Sequence, residues 1–128
     1  MSISYKNGIE GAPGAIGPYS QATVVGNLAF LSGQVPIDPS TGKLVDGDIE
    51  QQAEQVMSNL SNVLQGLGLS FADVAKTTIL LADMKSFGTV NEIYAKWMGD
   101  AKPARATFAV AGLPLGAMIE VEMIAETK

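Results

Sequence analysis

The hydrophobic and polar positions near the start of the chain follow the two-residue period of strands. Two β-prone runs, "SQATVV" and "LAFLSGQVPI", flank Gly26 and Asn27. A Gly-Asn pair between such runs favours a tight hairpin turn, so we predict strands near 20–25 and 28–34. The segments on either side, "EGAPGAIGPYSQ" and "DPSTGKLVDGD", are rich in turn-forming residues and are predicted to be loops.

The pattern then changes to the helical period. Asp48 can cap a helix and Gln51 can complete a capping box, and the apolar repeat that follows predicts a long amphipathic helix ending at Gly68. We interpret its apolar stripe as core and not as a cofactor groove. The stripe consists of Ile49, Ala53, Val56, Met57, Leu60, Val63, Leu64 and Leu67.

The second half of the chain repeats the alternation of strand and helix. "VAKTTILLAD" predicts a strand near 75–82, and "SFGTVNEIYAKWMGD" predicts a second helix with Ser86 as its cap. The buried stripe of this helix is predicted to contain Phe87, Val90, Tyr94, Trp97 and Met98.

"RATFAV" and "AMIEVEMIAE" predict two final strands on either side of the turn-forming "AGLPLG". The predicted order is β-β-α-β-α-β-β, within a single domain that spans residues 1–128. Two helices can cover only one face of the sheet, which predicts a two-layer α+β sandwich whose other face needs a partner.

The last strand supports that expectation. Ile119, Val121, Met123 and Ala125 point one way and suit the helices, whereas Met118, Glu120, Glu122, Ile124 and Glu126 point the other way. A face that mixes apolar residues with carboxylates is typical of a subunit interface that holds a polar cleft.

Composition limits the chemistry. The net charge of −5 without a lysine-rich run argues against nucleic acid as a partner, and no apolar stretch approaches the length of a membrane span. The first residues lack the pattern of a signal peptide, so we expect a soluble, cytoplasmic protein without a membrane partner. The absence of cysteine and histidine excludes thiol nucleophiles and Cys/His zinc sites.

The single arginine, Arg105, stands out in this composition, because every other basic residue is a lysine. If the last two strands form a hairpin, Arg105 falls opposite Glu122 and shares a face with Glu120. That register is preferred because the shifted one would leave the charge unpaired on the aliphatic face. Arg105 is then either a structural partner of these carboxylates or a two-point clamp for a substrate carboxylate, and spacing does not separate the two readings.

Two further features favour ordinary explanations. "EGAPGAIG" lacks a phosphate-loop pattern and a following lysine, so nucleotide binding is poorly supported. Asp46, Asp48 and Glu50 could suggest a cation site, but a solvated loop leading into a helix N-terminus explains them more simply. We therefore predict no metal site.

"PARATFAVAGLPLGAMIEVEM" resembles the C-terminal signature of the reactive intermediate deaminase (RidA) family, which also carries older names for translation inhibitors. "AIGPYSQA", "LSGQVPIDPSTGKLV" and "VAKTTILLADMKSFGTVNEIY" fall in the order and spacing of that family. The resemblance implies a chorismate-mutase-like α+β fold assembled as a homotrimer with clefts between subunits. It also implies hydrolysis of 2-imino acids and enamines, such as 2-iminopropionate and 2-aminoacrylate, to 2-keto acids and ammonia without a cofactor.

The same resemblance implies the roles of individual residues. Arg105 would hold the substrate carboxylate, and Glu120 would position and polarise the attacking water. Other residues would line the cleft or contact the substrate: Tyr19, Ser32, Gly33, Phe87, Asn91 and Thr107. Thr107 stands where the family often has cysteine, which excludes thiol-dependent behaviour and leaves the hydrolytic scheme intact.

Two other functions stay open at this point. The clefts could bind 2-keto acids or related carboxylates without turnover, as a sensor would. The older family names suggest a ribonuclease or translation inhibitor, against which the missing histidine and the acidic balance argue.

Overall fold

A six-stranded mixed sheet carries two helices on one of its faces. The structure is a computed structural model that describes residues 2–128. The elements in chain order are β1 (Ser4–Lys6), β2 (Ala22–Val25), β3 (Leu28–Gln34), β4 (Ile37–Asp38), β5 (Lys43–Leu44), α1 (Ile49–Gly66), β6 (Val74–Leu81), α2 (Phe87–Met98), β7 (Ala104–Ala109) and β8 (Ile119–Glu126). The order across the large sheet is β1-β2-β3-β8-β6-β7, and β4 pairs with β5 separately.

The seven predicted elements are present in the predicted order, and the α+β sandwich is confirmed. β2 and β3 pair as a hairpin that closes between Val25 and Leu28, with Gly26 at a φ of 59° that suits glycine in the turn. The capping box of α1 is also confirmed, because Oδ1 of Asp48 accepts from the Glu50 N–H at 3.2 Å and Gln51 accepts from the Asp48 N–H at 3.0 Å.

Three short strands were not predicted. β1 lies in the glycine-rich lead and pairs with β2, while β4 and β5 form a two-residue ladder inside the predicted loop. Each has too few residues to show a period in the sequence.

The prediction that Ser86 caps α2 was wrong. Ser86 has helical backbone angles, φ −79° and ψ −8°, and makes no side-chain cap hydrogen bond. It ends a 3-10 turn, Met84–Ser86, that leads directly into α2 and is itself capped by Asp83. A residue already inside a helical turn does not have the extended backbone that an N-cap requires.

The predicted hairpin between the last two strands was also wrong. β7 pairs with β6 in parallel, whereas β8 lies between β3 and β6 and is antiparallel to both. The reason is α2, which joins β6 to β7 as a crossover connection, and such connections bring strands together in parallel. β7 therefore forms one edge of the sheet.

The two predicted faces of β8 are confirmed. Its helix-facing side chains are at most 2% exposed and join the side chains of α1 and α2 in one hydrophobic core. On the other face, Glu120 and Ile124 are half-buried and Glu122 is exposed. Phe30 and Phe108 remain 38% and 49% exposed, so this open face keeps apolar surface that no element within residues 2–128 covers.

Within residues 2–128, neither helix combines the length and the apolar character that crossing a lipid bilayer would require.

Candidate functional site

Arg105 lies on the edge strand and faces the helix layer. It is in register with Thr77 of β6, which is in turn in register with Met123 of β8. Residues directly across a ladder share a face, and Thr77 and Met123 are buried under the helices. The predicted position of Arg105 opposite Glu122, on the face of Glu120, was therefore wrong, because it depended on a β7–β8 hairpin that the chain does not form.

The exposed guanidinium is held by α2. Nη1 of Arg105 donates to Oδ1 of Asn91 at 2.7 Å, and Cζ lies 5.5 Å from the ring centroid of Phe87 and 5.1 Å from that of Tyr94. Both distances are within the range of cation–π attraction. These residues occupy one helical face at spacings of three and four, which is why α2 brings them together.

No carboxylate of residues 2–128 forms an ion pair with the guanidinium. The ion pair recorded among residues 2–128 joins Lys128 to Asp73, with 3.6 Å between Nζ and Oδ2. The structural alternative for Arg105, a pair with Glu120 or Glu122, is thus not formed within the chain. The guanidinium of Arg105 therefore keeps N–H donors and its full positive charge available to an external anion.

Thr107 lies two residues further along β7 and, by its register with Ile79, faces the same helix layer. Its Oγ1 is buried and lacks a hydrogen-bond partner among residues 2–128. Thr107 therefore borders the arginine without contributing an identified polar contact.

Glu120 occupies the open face of the sheet. Its carboxylate packs against Gly33, where a Cβ atom would overlap it, because β3 has a bulge between Leu31 and Gln34. Burial raises the pKa of Glu120 above its ordinary value of 4.5, and the nearby charge of Glu122 raises it further. A carboxylate in this setting has a stronger affinity for a proton than a solvated one.

Tyr19 and Ser32 lie on the open face of the sheet, and Ser32 directly precedes Gly33. They line a hollow of about 540 Å³ together with Tyr5 and Phe30. The Tyr19 side chain is 52% exposed. Oγ of Ser32 donates to the Ser20 carbonyl at 2.5 Å and the Ser32 N–H donates to the Gln21 carbonyl at 3.1 Å, so Ser32 keeps only acceptor capacity for a ligand.

The predicted site residues thus form two separate groups. We call Phe87, Asn91, Arg105 and Thr107 the arginine cluster, and Tyr19, Ser32, Gly33 and Glu120 the glutamate cluster. Glu120 is in register with Leu80, three residues beyond Thr77 on β6. With ordinary strand rise and spacing, the backbones of Arg105 and Glu120 are about 14 Å apart, and their side chains leave opposite faces of the sheet.

Tyr94 belongs beside the arginine cluster, although its helical spacing predicted only a place in the core stripe. Its ring supports the guanidinium, and it lines a cavity of about 410 Å³ with Asn91, Met98, Lys102 and Arg105. The signal was present in the spacing, because Tyr94 lies three residues after Asn91 and seven after Phe87.

In the part of the chain described here, residues 2–128, histidine, cysteine and carboxylate side chains do not gather in groups of three or more that could hold a metal ion.

The fold and these clusters define a two-layer α+β protein with a candidate anion site at the edge of its sheet. Comparison with known proteins makes the assignment specific. A family model described as Endoribonuclease L-PSP matches residues 9–127, and the chain belongs to that family.

The relatives include proteins with a named activity. A mouse 2-iminobutanoate/2-iminopropanoate deaminase is 52% identical over 114 residues, 89% of this chain and 84% of the relative. The chloroplastic Reactive Intermediate Deaminase A of Arabidopsis thaliana is 53% identical over 116 residues, 91% of this chain and 62% of the relative. The resemblance to the RidA family seen in the sequence is confirmed.

A solved structure agrees with the fold. The crystal structure of YEO7 from yeast superimposes with a TM-score of 0.94 at 45% identity, covering 99% of this chain and 100% of that chain. The α+β architecture is therefore shared over the whole length.

Proposed function

We propose that this protein hydrolyses 2-imino acids and their enamine tautomers to 2-keto acids and ammonia without a cofactor. Relatives at about half identity carry the name 2-iminobutanoate/2-iminopropanoate deaminase or reactive intermediate deaminase. The preferred substrates are small 2-imino acids of three or four carbons, such as 2-iminopropionate.

The observation that carries the proposal is the state of Arg105. Its guanidinium is exposed, is held in place by Asn91 and two rings, and forms no ion pair with a carboxylate of residues 2–128. A planar fork of this kind binds a carboxylate through two parallel hydrogen bonds. Every 2-imino acid carries such a carboxylate next to the reacting carbon.

The two clusters are proposed to meet between copies of the chain. A substrate of three or four carbons is too short to reach from Arg105 to Glu120 within one protomer, since about 14 Å and the thickness of the sheet separate them. A heterologous interface that repeats around a ring places the arginine cluster of one copy against the glutamate cluster of the next. The uncovered sheet face, with Phe30 and Phe108 exposed, supports such packing, and we propose a homotrimer.

Hydrolysis needs one water molecule and one base. Glu120 accepts a proton from water while the water oxygen bonds to C2, and the C=N electron pair moves to nitrogen, which takes up a proton. Glu120 then gives its proton to the nitrogen of the resulting carbinolamine, the C–N bond breaks and releases ammonia, and the new hydroxyl gives its proton to solvent, which leaves a 2-keto acid. An enamine first takes a proton at C3 to become the imine.

The environment of Glu120 suits this step. A pKa raised by burial makes the carboxylate a better proton acceptor than a solvated glutamate. Arg105 fixes the carboxylate of the substrate, so the water meets C2 in a fixed geometry and an encounter becomes an oriented step.

The test supplies 2-iminopropionate from an amino-acid oxidase and follows its capture by semicarbazide with and without the protein. We expect a faster loss of imine with the wild-type chain, and loss no faster than in buffer would refute the function. Arg105→Lys keeps the charge but removes the fork, and we expect kcat/KM to fall about 10²-fold. Lys43→Ala, which removes an exposed cation on β5 away from both clusters, is the control and should change kcat/KM much less.

The family description names an endoribonuclease, which is a second candidate. The chain has no histidine, so it lacks the usual acid/base pair for RNA cleavage. Its net charge of −5 does not favour binding of RNA phosphates. RNA cleavage that persists in nuclease-free preparations and disappears in Glu120→Gln would favour it. Binding of 2-ketobutyrate with no imine turnover would favour a sensor.

A cytoplasmic location stays a prediction, to be checked by fractionation.

A further inference from the structure

We propose that Thr77 and Tyr94 form a positioning pair that fixes the orientation of the Arg105 guanidinium. The functional part of this inference rests on the proposed role of Arg105 as a carboxylate clamp. The pair connects the interior of the sheet to the exposed fork through one hydrogen bond and one ring contact.

The buried hydroxyl of Thr77 is the first observation. Thr77 is 0% exposed and faces the helix layer from β6, among residues that are otherwise apolar. Its Oγ1 lies 2.9 Å from the Tyr94 hydroxyl oxygen. Each hydroxyl is the recorded partner of the other, and a buried hydroxyl needs such a partner.

The ring of Tyr94 is the second observation. Tyr94 is 8% exposed and its ring centroid lies 5.1 Å from Cζ of Arg105, closer than that of Phe87. The hydrogen bond to Thr77 restricts rotation of the Tyr94 side chain, so the ring stays under the guanidinium. Arg105 is also in register with Thr77 on the neighbouring strand. The three residues are therefore connected in a closed set of contacts: the strand pairing, the hydrogen bond and the ring contact.

This set of contacts affects how Arg105 binds a carboxylate. A two-point contact with a carboxylate needs the guanidinium in one fixed orientation. If the side chain is mobile before the substrate arrives, the entropy lost on fixing it weakens binding. Asn91 accepts a hydrogen bond from one nitrogen, and the ring of Tyr94 lies under the guanidinium carbon. Thr77 therefore influences substrate affinity although it does not touch the substrate.

The experiment compares Thr77→Val, Tyr94→Phe and the double variant. Each single variant leaves one buried hydroxyl without its partner and is expected to lower the thermal midpoint. The double variant removes both hydroxyls, so its midpoint should return towards the wild-type value. Thr77→Ser retains the hydroxyl but loses a buried methyl group, so its thermal midpoint should fall while its Arg105 signal and its KM match the wild type. Thr89→Val, the same type of change on α2 at the groove facing α1, is the matched control.

The lone arginine supplies a readout that a merely structural role would not move. In a ¹⁵N-labelled sample the Nε–H signal of Arg105 is free of overlap with other arginines, since the sequence contains no other. We expect its order parameter to fall in the double variant while the thermal midpoint is restored. An Arg105 signal that matches the wild type in the double variant would overturn the positioning pair.

Kinetics give the second readout. In the double variant we expect KM to rise about 3- to 10-fold, because ordering the guanidinium then opposes substrate binding. We expect kcat to fall by a smaller factor, because the bound substrate is held less firmly against the water. Wild-type KM in the double variant would also overturn the inference. The two failures are distinguishable, because an inactive wild-type protein refutes the proposed function, whereas the NMR signal of Arg105 tests the pair without any turnover.

Discussion

Arg105 donates its Nη1 hydrogen bond to Asn91, a neutral side chain, at 2.7 Å. A neutral acceptor orients the guanidinium without cancelling its charge. Together with the rings of Phe87 and Tyr94, it gives a cation that is fixed and still unneutralised. This combination distinguishes a binding arginine from a structural one, which would be paired with a carboxylate.

Asn91→Asp should therefore inhibit the protein by filling the clamp from within. The new carboxylate would form a charge-assisted pair with Arg105 and compete with the carboxylate of the substrate. We expect KM for 2-iminopropionate to rise about 10-fold or more, and Asn91→Ala to raise it less. Steady-state kinetics on the two variants measures the difference. An aspartate variant with unchanged KM would show that substrate does not use the guanidinium.

Mixing two inactive variants tests whether the clusters meet between chains. Arg105→Ala and Glu120→Gln each remove one half of every cleft, so each homo-oligomer should be inactive. After unfolding and refolding together at equal amounts, about a quarter of the clefts combine the two intact halves if subunits assort at random. We expect about that fraction of wild-type activity, whereas no recovery would place both residues in clefts of a single chain.

The pH profile of kcat/KM should report Glu120. The proposed base must be ionised, and burial and Glu122 raise its pKa above 4.5, so activity should fall with decreasing pH through a midpoint above that value. Glu122→Gln removes a charge that raises this pKa, and the acid limb should move to lower pH. An acid limb that stays in place in Glu122→Gln would contradict the assignment.

Gly33→Ala should disturb Glu120 without disturbing the core. A Cβ at Gly33 would overlap the carboxylate, which must then move away from its position on the open face. We expect kcat to fall about 10-fold or more with a small change in thermal midpoint, because the acceptor is displaced while the fold persists. Gly14→Ala is the control, since its Cβ would meet open space. Equal activity of the two variants would exclude a catalytic position for Glu120.

The sequence predicted those features that depend on local pattern. The burial of Ile119, Val121 and Met123 follows from a two-residue period, and the start of α1 follows from Asp48 and Gln51, which lie three residues apart in the chain. The strands β1, β4 and β5 were too short to produce a pattern.

The face occupied by Arg105 could not be obtained from local pattern, because it depends on which strand lies beside β7. The strand nearest to β7 in the chain is β8, whereas α2 brings β7 alongside β6. The assumed pairing of β7 with β8 also placed Arg105 and Glu120 on one face, so their separation was not predicted. Tyr94 was assigned to the core, which is correct for its burial, but its second contact with a cation was visible only once β7 was placed.

The opposed directions of Arg105 and Glu120 have a consequence for the protein in dilute solution. Under the proposed arrangement no isolated chain contains a complete centre, so catalytic output per chain depends on total concentration and declines on dilution while each fold persists. Measured turnover would then follow mass action, and the cell could tune it through the amount of protein it makes.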